Sequence, residues 1–208
     1  MPYNGQILKG GIGVRTVLFA ARLTRKLTGS EQKILFSCLP PERWTRFLDG
    51  KAHAGRDEIL CAYGLLCTAL RRELDWRTLP AVALSGAGKP FFPDFPDVHF
   101  SLSHADGAVL VGLSPAPIGV DIEKAHPVRA RLMRRVADTD SPEQFFRHWV
   151  ALEAVGKRDG GGVPSVLKSG VSPLSDAGCH LLDTWPGYFA AAAYSLGYAA
   201  AETHLYTV

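Results

Sequence analysis

The chain has 208 residues, 47% of them hydrophobic and 21% charged, with a formal net charge of +3. That length suits one large domain or two small ones sharing a core, and the composition excludes a mainly disordered chain. So small a charge argues against a nucleic-acid binder working through a basic surface and fits an anionic small ligand or an acidic protein partner.

From the N-terminus, Val14 to Leu23 (VRTVLFAARL) is rich in β-branched and apolar residues and predicts a strand. Ser30 to Phe36 and Pro41 to Phe47 predict short helices, the second with proline in its first turn, where a missing N–H is no loss. Arg56 to Trp76 is the clearest helix: Ile59, Tyr63, Leu66, Cys67, Leu70 and Leu74 recur at helical spacing, with Arg71, Arg72 and Glu73 off that face. Gly86 to Pro96 is punctuated by glycine and proline and is expected to be loop. Val98 to Leu102 and Ala108 to Leu113 predict strands joined by a His104-Ala105-Asp106-Gly107 turn.

Beyond a break at Ser114 to Pro117, Ile118 to Glu123 predicts a further strand. Val128 to Val136 predicts a basic helix with Val128, Leu132 and Val136 on one side. Thr139 to Glu143 combines a cap residue, a proline and an acid, the start of a helix running to about Lys157 and ended by the glycines at 160, 161 and 162. Tyr188 to Tyr194 and Glu202 to Val208 predict the last strands.

Cys38, Cys61, Cys67 and Cys179 have neither C-x-x-C spacing nor a neighbouring histidine at metal-ligand spacing, so free thiols in a reducing cytoplasm are expected. The N-terminus lacks the charge-then-apolar pattern of a signal peptide. The apolar stretch from Tyr188 to Ala201 is too short and too interrupted to span a bilayer, so a soluble protein without membrane or nucleic-acid partners is expected.

Alternate side chains of a strand share a face, so Asp121 and Glu123 point one way and Val120 and Ile122 the other. Paired carboxylates raise each other's pKa unless a cation lies between them, so this pair is either a solvated strand edge or an oxygen site for a hard cation such as Mg²⁺. Glu153 and Lys157, four apart on a helix, are either a surface ion pair contributing about 0.3–0.5 kcal/mol or a carboxylate and an ammonium at the rim of a cleft. Phe145, Trp149, Leu152 and Gly156 form the opposing apolar stripe, while Phe146 and Val150 share the charged face. His104 follows the hydroxyl of Ser103 and precedes Gly107, an arrangement that can grip an anion or be merely structural. Lys89 in its glycine loop and Arg56 at a helix start are either phosphate contacts or solvated side chains.

Four of these pieces, in this order, carry a resemblance: Gly88-Lys89-Pro90, Phe100 to His104, Ile118 to Glu123 with Pro127 after it, and Trp149-x-x-x-Glu153-Ala154-x-x-Lys157. From about Pro41 to Tyr194 the chain resembles the Sfp-type 4′-phosphopantetheinyl transferases. The resemblance implies an α+β fold of two similar α/β halves, residues 1–116 and 117–208, related by a pseudo-twofold with the active site in the cleft between them. It implies coenzyme A as donor, Mg²⁺ as metal, an acyl or peptidyl carrier-protein serine as acceptor, and 3′,5′-ADP as the leaving product. By position Asp121, Glu123 and Glu153 match the metal carboxylates, Glu153 the base, and Lys157 the lysine near the pyrophosphate. Arg56, Lys89, Ser103 and His104 match the groups that hold the nucleotide and its 3′-phosphate. A cytoplasmic monomer is expected.

Two departures stand out. Leu152 occupies a position where the family usually has lysine, and the interval from Glu123 to Trp149 is shorter than usual. That interval contributes to carrier docking and here carries Arg129, Arg131, Arg134 and Arg135, which either meet an acidic carrier helix or form a solvated face. A coenzyme A- and carrier-binding homologue with weak or lost catalysis is the alternative, and an unrelated Mg²⁺-dependent pyrophosphate hydrolase a third reading.

Overall fold

A computed structural model describes residues 15–48, 55–198 and 202–208; Val14, where the first strand is expected to begin, and the rest of residues 1–14 lie outside these. In chain order the elements are β1 (Val17–Arg22), α1 (Gly29–Phe36), α2 (Pro41–Leu48), α3 (Arg56–Leu74), β2 (Ala83–Leu84), β3 (Pro90–Phe91), β4 (His99–Ala105), β5 (Ala108–Ser114), β6 (Ile118–Lys124), α4 (Ala130–Ala137), α5 (Pro142–Asp159), α6 (Gly162–Ser169), a short 3₁₀ turn at Pro173–Ser175, β7 (Cys179–Leu182), β8 (Tyr188–Tyr194) and β9 (Glu202–Thr207). The fold is mixed α+β, with one sheet in the order β4-β5-β1-β9 and a second in the order β6-β8-β7. All pairings in both sheets are antiparallel except β1 with β9.

The period of two along β1 assigns its side chains to two cores. Val17, Phe19 and Ala21 pack under α3 with Leu60, Tyr63, Leu66 and Leu70. Leu18 and Ala20 face the second sheet and meet Val120, Ile122, Ala190 and Ala192. A strand covered on both faces reads as one apolar run, as this one does. On the far face of the second sheet, Ala191 and Ala193 carry α5 through Val150, Leu152, Ala154 and Val155. The layers therefore run α3, first sheet, second sheet, α5. Where the sheets meet, the hydroxyls of Ser101 and Ser103 on β4 accept from the backbone N–H groups of Val120 at 3.1 Å and Ile122 at 3.3 Å on β6.

Local chemistry sets the ends of the elements. Ser141 caps α5 by accepting from the N–H of Gln144 at 3.3 Å, Pro142 takes the first turn, and Gly160 leaves the helix at φ 75°. β4 continues through His104 to Ala105, so the turn is only Asp106-Gly107, both at positive φ (43° and 85°) as a two-residue type I′ hairpin requires. That corrects the longer turn expected from His104 onward. The expected loop at Gly86 to Pro96 contains β3, which pairs with β2, and α6 and β7 were not anticipated. Val128 and Val136 pack against the core at α4 as expected, but Leu132 is 44% exposed and Met133, 6% exposed, is the anchor between them.

Candidate active site

Because Val120 and Ile122 face the first sheet, Asp121 and Glu123 face α5. Asp121 is 3% exposed. The helix comes this close because residue 119 is glycine: a Cβ there would collide with the Ala154 carbonyl oxygen and the Arg158 N–H. On the helix so placed, Lys157 Nζ donates to Asp121 Oδ1 at 2.6 Å and to Ser103 Oγ at 3.2 Å. Ser103 donates to the same Oδ1 at 2.8 Å and accepts from Ile122, which uses its one proton and both lone pairs. Asp121 Oδ2 is buried without a hydrogen-bond partner.

All three acids are pushed above the usual carboxylate range. Burial raises Asp121 against the pull of Lys157 and Ser103. Burial also raises Glu123, with Asp121 adding to the rise and the Trp149 indole drawing it back. Glu153 is raised by burial, lowered by Lys157 and raised again by Asp121. The acids thus sense one another, and the ammonium of Lys157 lies beside Asp121 where another cation would. Among the described residues no three histidine, cysteine, aspartate or glutamate side chains stand together closely enough to hold a metal ion. The orphaned Oδ2 and the mutual repulsion of the acids are the features that fit a hard cation.

The remaining expected residues surround this cluster in two places. Lys89 lines a cavity of about 220 Å³ together with Lys157, Ser101 and Gly156. Its Nζ donates to the Ile118 carbonyl at 2.9 Å, and burial holds it down at about 8. Arg56 opens α3 and lines a separate cavity of about 590 Å³ with Arg25, Lys26 and Glu58. His104 packs over Gly55, where a Cβ would stand 3.3 Å from its Cε1, and burial lowers the ring's pKa. The Gly107 N–H donates to Glu58 Oε1 at 3.1 Å, so of the two readings of this turn that N–H takes the structural one. Ser103 is likewise turned inward, onto Asp121. Leu152 is 1% exposed and belongs to the core beneath α5.

Sequence reasoning missed three residues that shape the site: Ser101, Trp149 as a neighbour of Glu123, and Gly119. Only the glycine left a signal, since a glycine inside an apolar strand marks a close approach of another backbone.

No protein-family model matches the chain. Over 94 residues it is 34% identical to the 4′-phosphopantetheinyl transferase Sfp of Bacillus subtilis (strain 168), covering 39% of this chain and 42% of that protein. Over 105 residues it is 31% identical to the 4′-phosphopantetheinyl transferase psf-1 of Bacillus pumilus, covering 45% of each. Over these stretches the chain is similar to the Sfp-type 4′-phosphopantetheinyl transferases. A third Sfp-type relative, the transferase gsp of Aneurinibacillus migulanus, is 31% identical over 88 residues. These matches span less than half the length of the first two relatives. Among the described residues no helix is long and apolar enough to cross a membrane.

Proposed function

We propose that this chain transfers the 4′-phosphopantetheine group of coenzyme A to a serine hydroxyl of an apo acyl or peptidyl carrier protein, with Mg²⁺ required and 3′,5′-ADP released. The observation that carries the reading is the pairing of Lys157 with buried Asp121 beside Glu123 and Glu153, in a chain that aligns with Sfp-type transferases. The serine oxygen attacks the β-phosphorus of the pyrophosphate, and the bond to the 3′,5′-ADP oxygen breaks. A serine hydroxyl is a weak nucleophile, so a positioned base must take its proton. Glu153 is that base: half-buried on α5, with its pKa raised, it holds a proton better than a solvated carboxylate.

Lys157 supplies positive charge beside the departing oxygen, moving from Asp121 toward the ligand. Lys89, in the cavity it shares with Lys157, and Arg56 with His104 near the neighbouring cavity hold the nucleotide phosphates. Asp121, Glu123 and Glu153 are the residues that would hold Mg²⁺ once drawn closer together than they stand here, with Asp121 Oδ2 as the unpartnered oxygen. When bound, the cation offsets the charge on the pyrophosphate and on the leaving group. In this reading residues 1–116 and 117–208 are two similar halves with the ligand between them, and the protein works as a soluble cytoplasmic monomer. The basic face of α4 meets an acidic carrier.

The test is intact mass spectrometry of apo carrier proteins incubated with the chain, coenzyme A and Mg²⁺, with an EDTA control. A metal-dependent gain of one phosphopantetheine on the carrier serine is expected. Coenzyme A binding without transfer would replace this reading with that of a binding homologue. The observation favouring the second reading is that, among the described residues, no three acidic side chains stand together closely enough to hold a metal ion.

A further inference from the structure

Two thiols outside the carboxylate site meet where α1 packs on α3. Leu35 fixes the register of the two helices, with its Cδ2 only 2.5 Å from where a Cβ on Gly64 would stand. Cys38 lies three residues beyond Leu35, in the turn after α1, with its N–H donating to the Leu35 carbonyl at 2.9 Å. Cys67 lies three residues beyond Gly64 on α3, so one further turn along the same contact brings the two sulfurs together. Each thiol is the first influence on the other's ionisation, as side chains at neighbouring positions of one contact would be. Both residues are partly exposed, within reach of a small reagent, whereas Cys61 is buried and Cys179 lies on β7 in the second sheet.

We propose that Cys38 and Cys67 are a redox site that closes to a reversible intramolecular disulfide on meeting a small-molecule disulfide, tying the α1–α2 connection to α3. The Cys38 thiolate attacks one sulfur of the reagent, forming a mixed disulfide and releasing one reagent thiolate. Cys67 then loses its proton, attacks the Cys38 sulfur and releases the second thiolate. The two protein thiols together give up two protons and two electrons, and the reagent disulfide is reduced to two thiols. The division of roles follows from this neighbourhood: Cys67 lowers the Cys38 thiol, while Cys38 and burial push Cys67 up. Cys38 is therefore the attacking sulfur at neutral pH and Cys67 the resolving one. The closed loop contains α2 and its link to α3, so the bond removes freedom from the unfolded chain, and the oxidised form unfolds at a higher temperature.

The experiment is incubation of the full chain with oxidised glutathione at neutral pH, followed by intact mass and a peptide map without reduction. The expected result is the loss of two hydrogens, one cross-linked peptide joining Cys38 to Cys67, and reversal by dithiothreitol. Cys67→Ser should instead retain one glutathione on Cys38. Glutathione remaining on Cys38 of the unaltered chain without closure would overturn the proposal. So would a bridge between any other pair, or no modification of either thiol. The map of the unaltered chain decides the matter even where the variant fails to fold.

Discussion

The two long helices each cover a sheet, and they do so with opposite materials. α3 lays Leu60, Tyr63, Leu66 and Leu70 against Phe19 and Phe100, a contact of large apolar side chains. Beside the carboxylates α5 rests on Ala191 and Ala193 and on the bare backbone of Gly119, so there the separation is set by small residues, while Phe146 stacks on Phe189 nearer the helix start. Large side chains bury more apolar area per residue, about 25 cal/mol per Å². Small ones let two backbones approach until a lysine of one element reaches an aspartate of the other. The α3 side is therefore built for stability, while the α5 side gives up hydrophobic area to hold a carboxylate and an ammonium in a fixed relation.

The sharpest break in this comparison is chemical. Glu153→Gln should lower kcat for phosphopantetheine transfer by about 10²–10⁴, the usual range for a positioned base. Circular dichroism should show the fold retained, and near-normal turnover would remove Glu153 from its assigned role. The same variant tests the electrostatics of the α5 side. Burial raises the folded-state pKa of Glu153, so the native chain binds that proton more tightly than the unfolded one, where glutamate titrates near about 4.3. Stability from this group is full below that value and is lost as pH rises through the raised one. Thermal unfolding should therefore show Glu153→Gln gaining on the native chain at neutral pH and not at acid pH, and a gain equal at both would contradict a desolvated carboxylate.

Next in size is a pair of packing changes. Leu66→Ala under α3 should cost about 3 kcal/mol in urea unfolding and leave kcat unchanged in the folded fraction. Gly119→Ala should cost about 2–3 kcal/mol and lower kcat as well, because it pushes α5 and Lys157 off β6. If both variants lose stability alone, the close approach at Gly119 has no part in the chemistry.

A smaller effect is carried by Lys89. Burial holds it down at about 8, so its charge fades as pH rises through that value. The KM for coenzyme A should rise over the same interval, and Lys89→Arg, charged throughout, should flatten the rise. A KM profile that is flat in the native chain would place Lys89 away from the phosphates. The least effect is expected from Ser103→Ala, which removes bonds to Asp121 and Lys157 and strands the Ile122 N–H, at about 1–2 kcal/mol of stability.

What the sequence disclosed of this site follows its periodicities. Alternation along β6 was enough to place Asp121 and Glu123 on one face and Val120 and Ile122 in the core. The helical repeat was enough to put Glu153 and Lys157 on one side of α5. The partner of Lys157 was not legible, because sequence spacing shows only its neighbour four residues away, and its bond to Asp121 depends on how close another element comes. The fold shows the same division. α3 and α5 were readable from long repeats and end signals, whereas α6 opens on glycine and β7 has only four residues, too little for a period to register. In α4 the eight-residue length left its rotational phase to the tertiary contacts, which selected Met133 over Leu132. Gly107 was readable as a turn residue, but the carboxylate that takes its N–H, Glu58, comes from a helix far away in sequence.

β9 completes the first sheet by lying parallel to β1, with Val17 opposite Glu202 and Arg22 opposite Thr207. During synthesis β1 is made long before β9, so its outer edge has no partner until nearly all of the described chain has followed. An unpaired strand edge is a template for pairing with other chains. Until β9 is made, that edge is an adhesive border, and a closure across so long a stretch of chain is the kind of contact that forms late in folding.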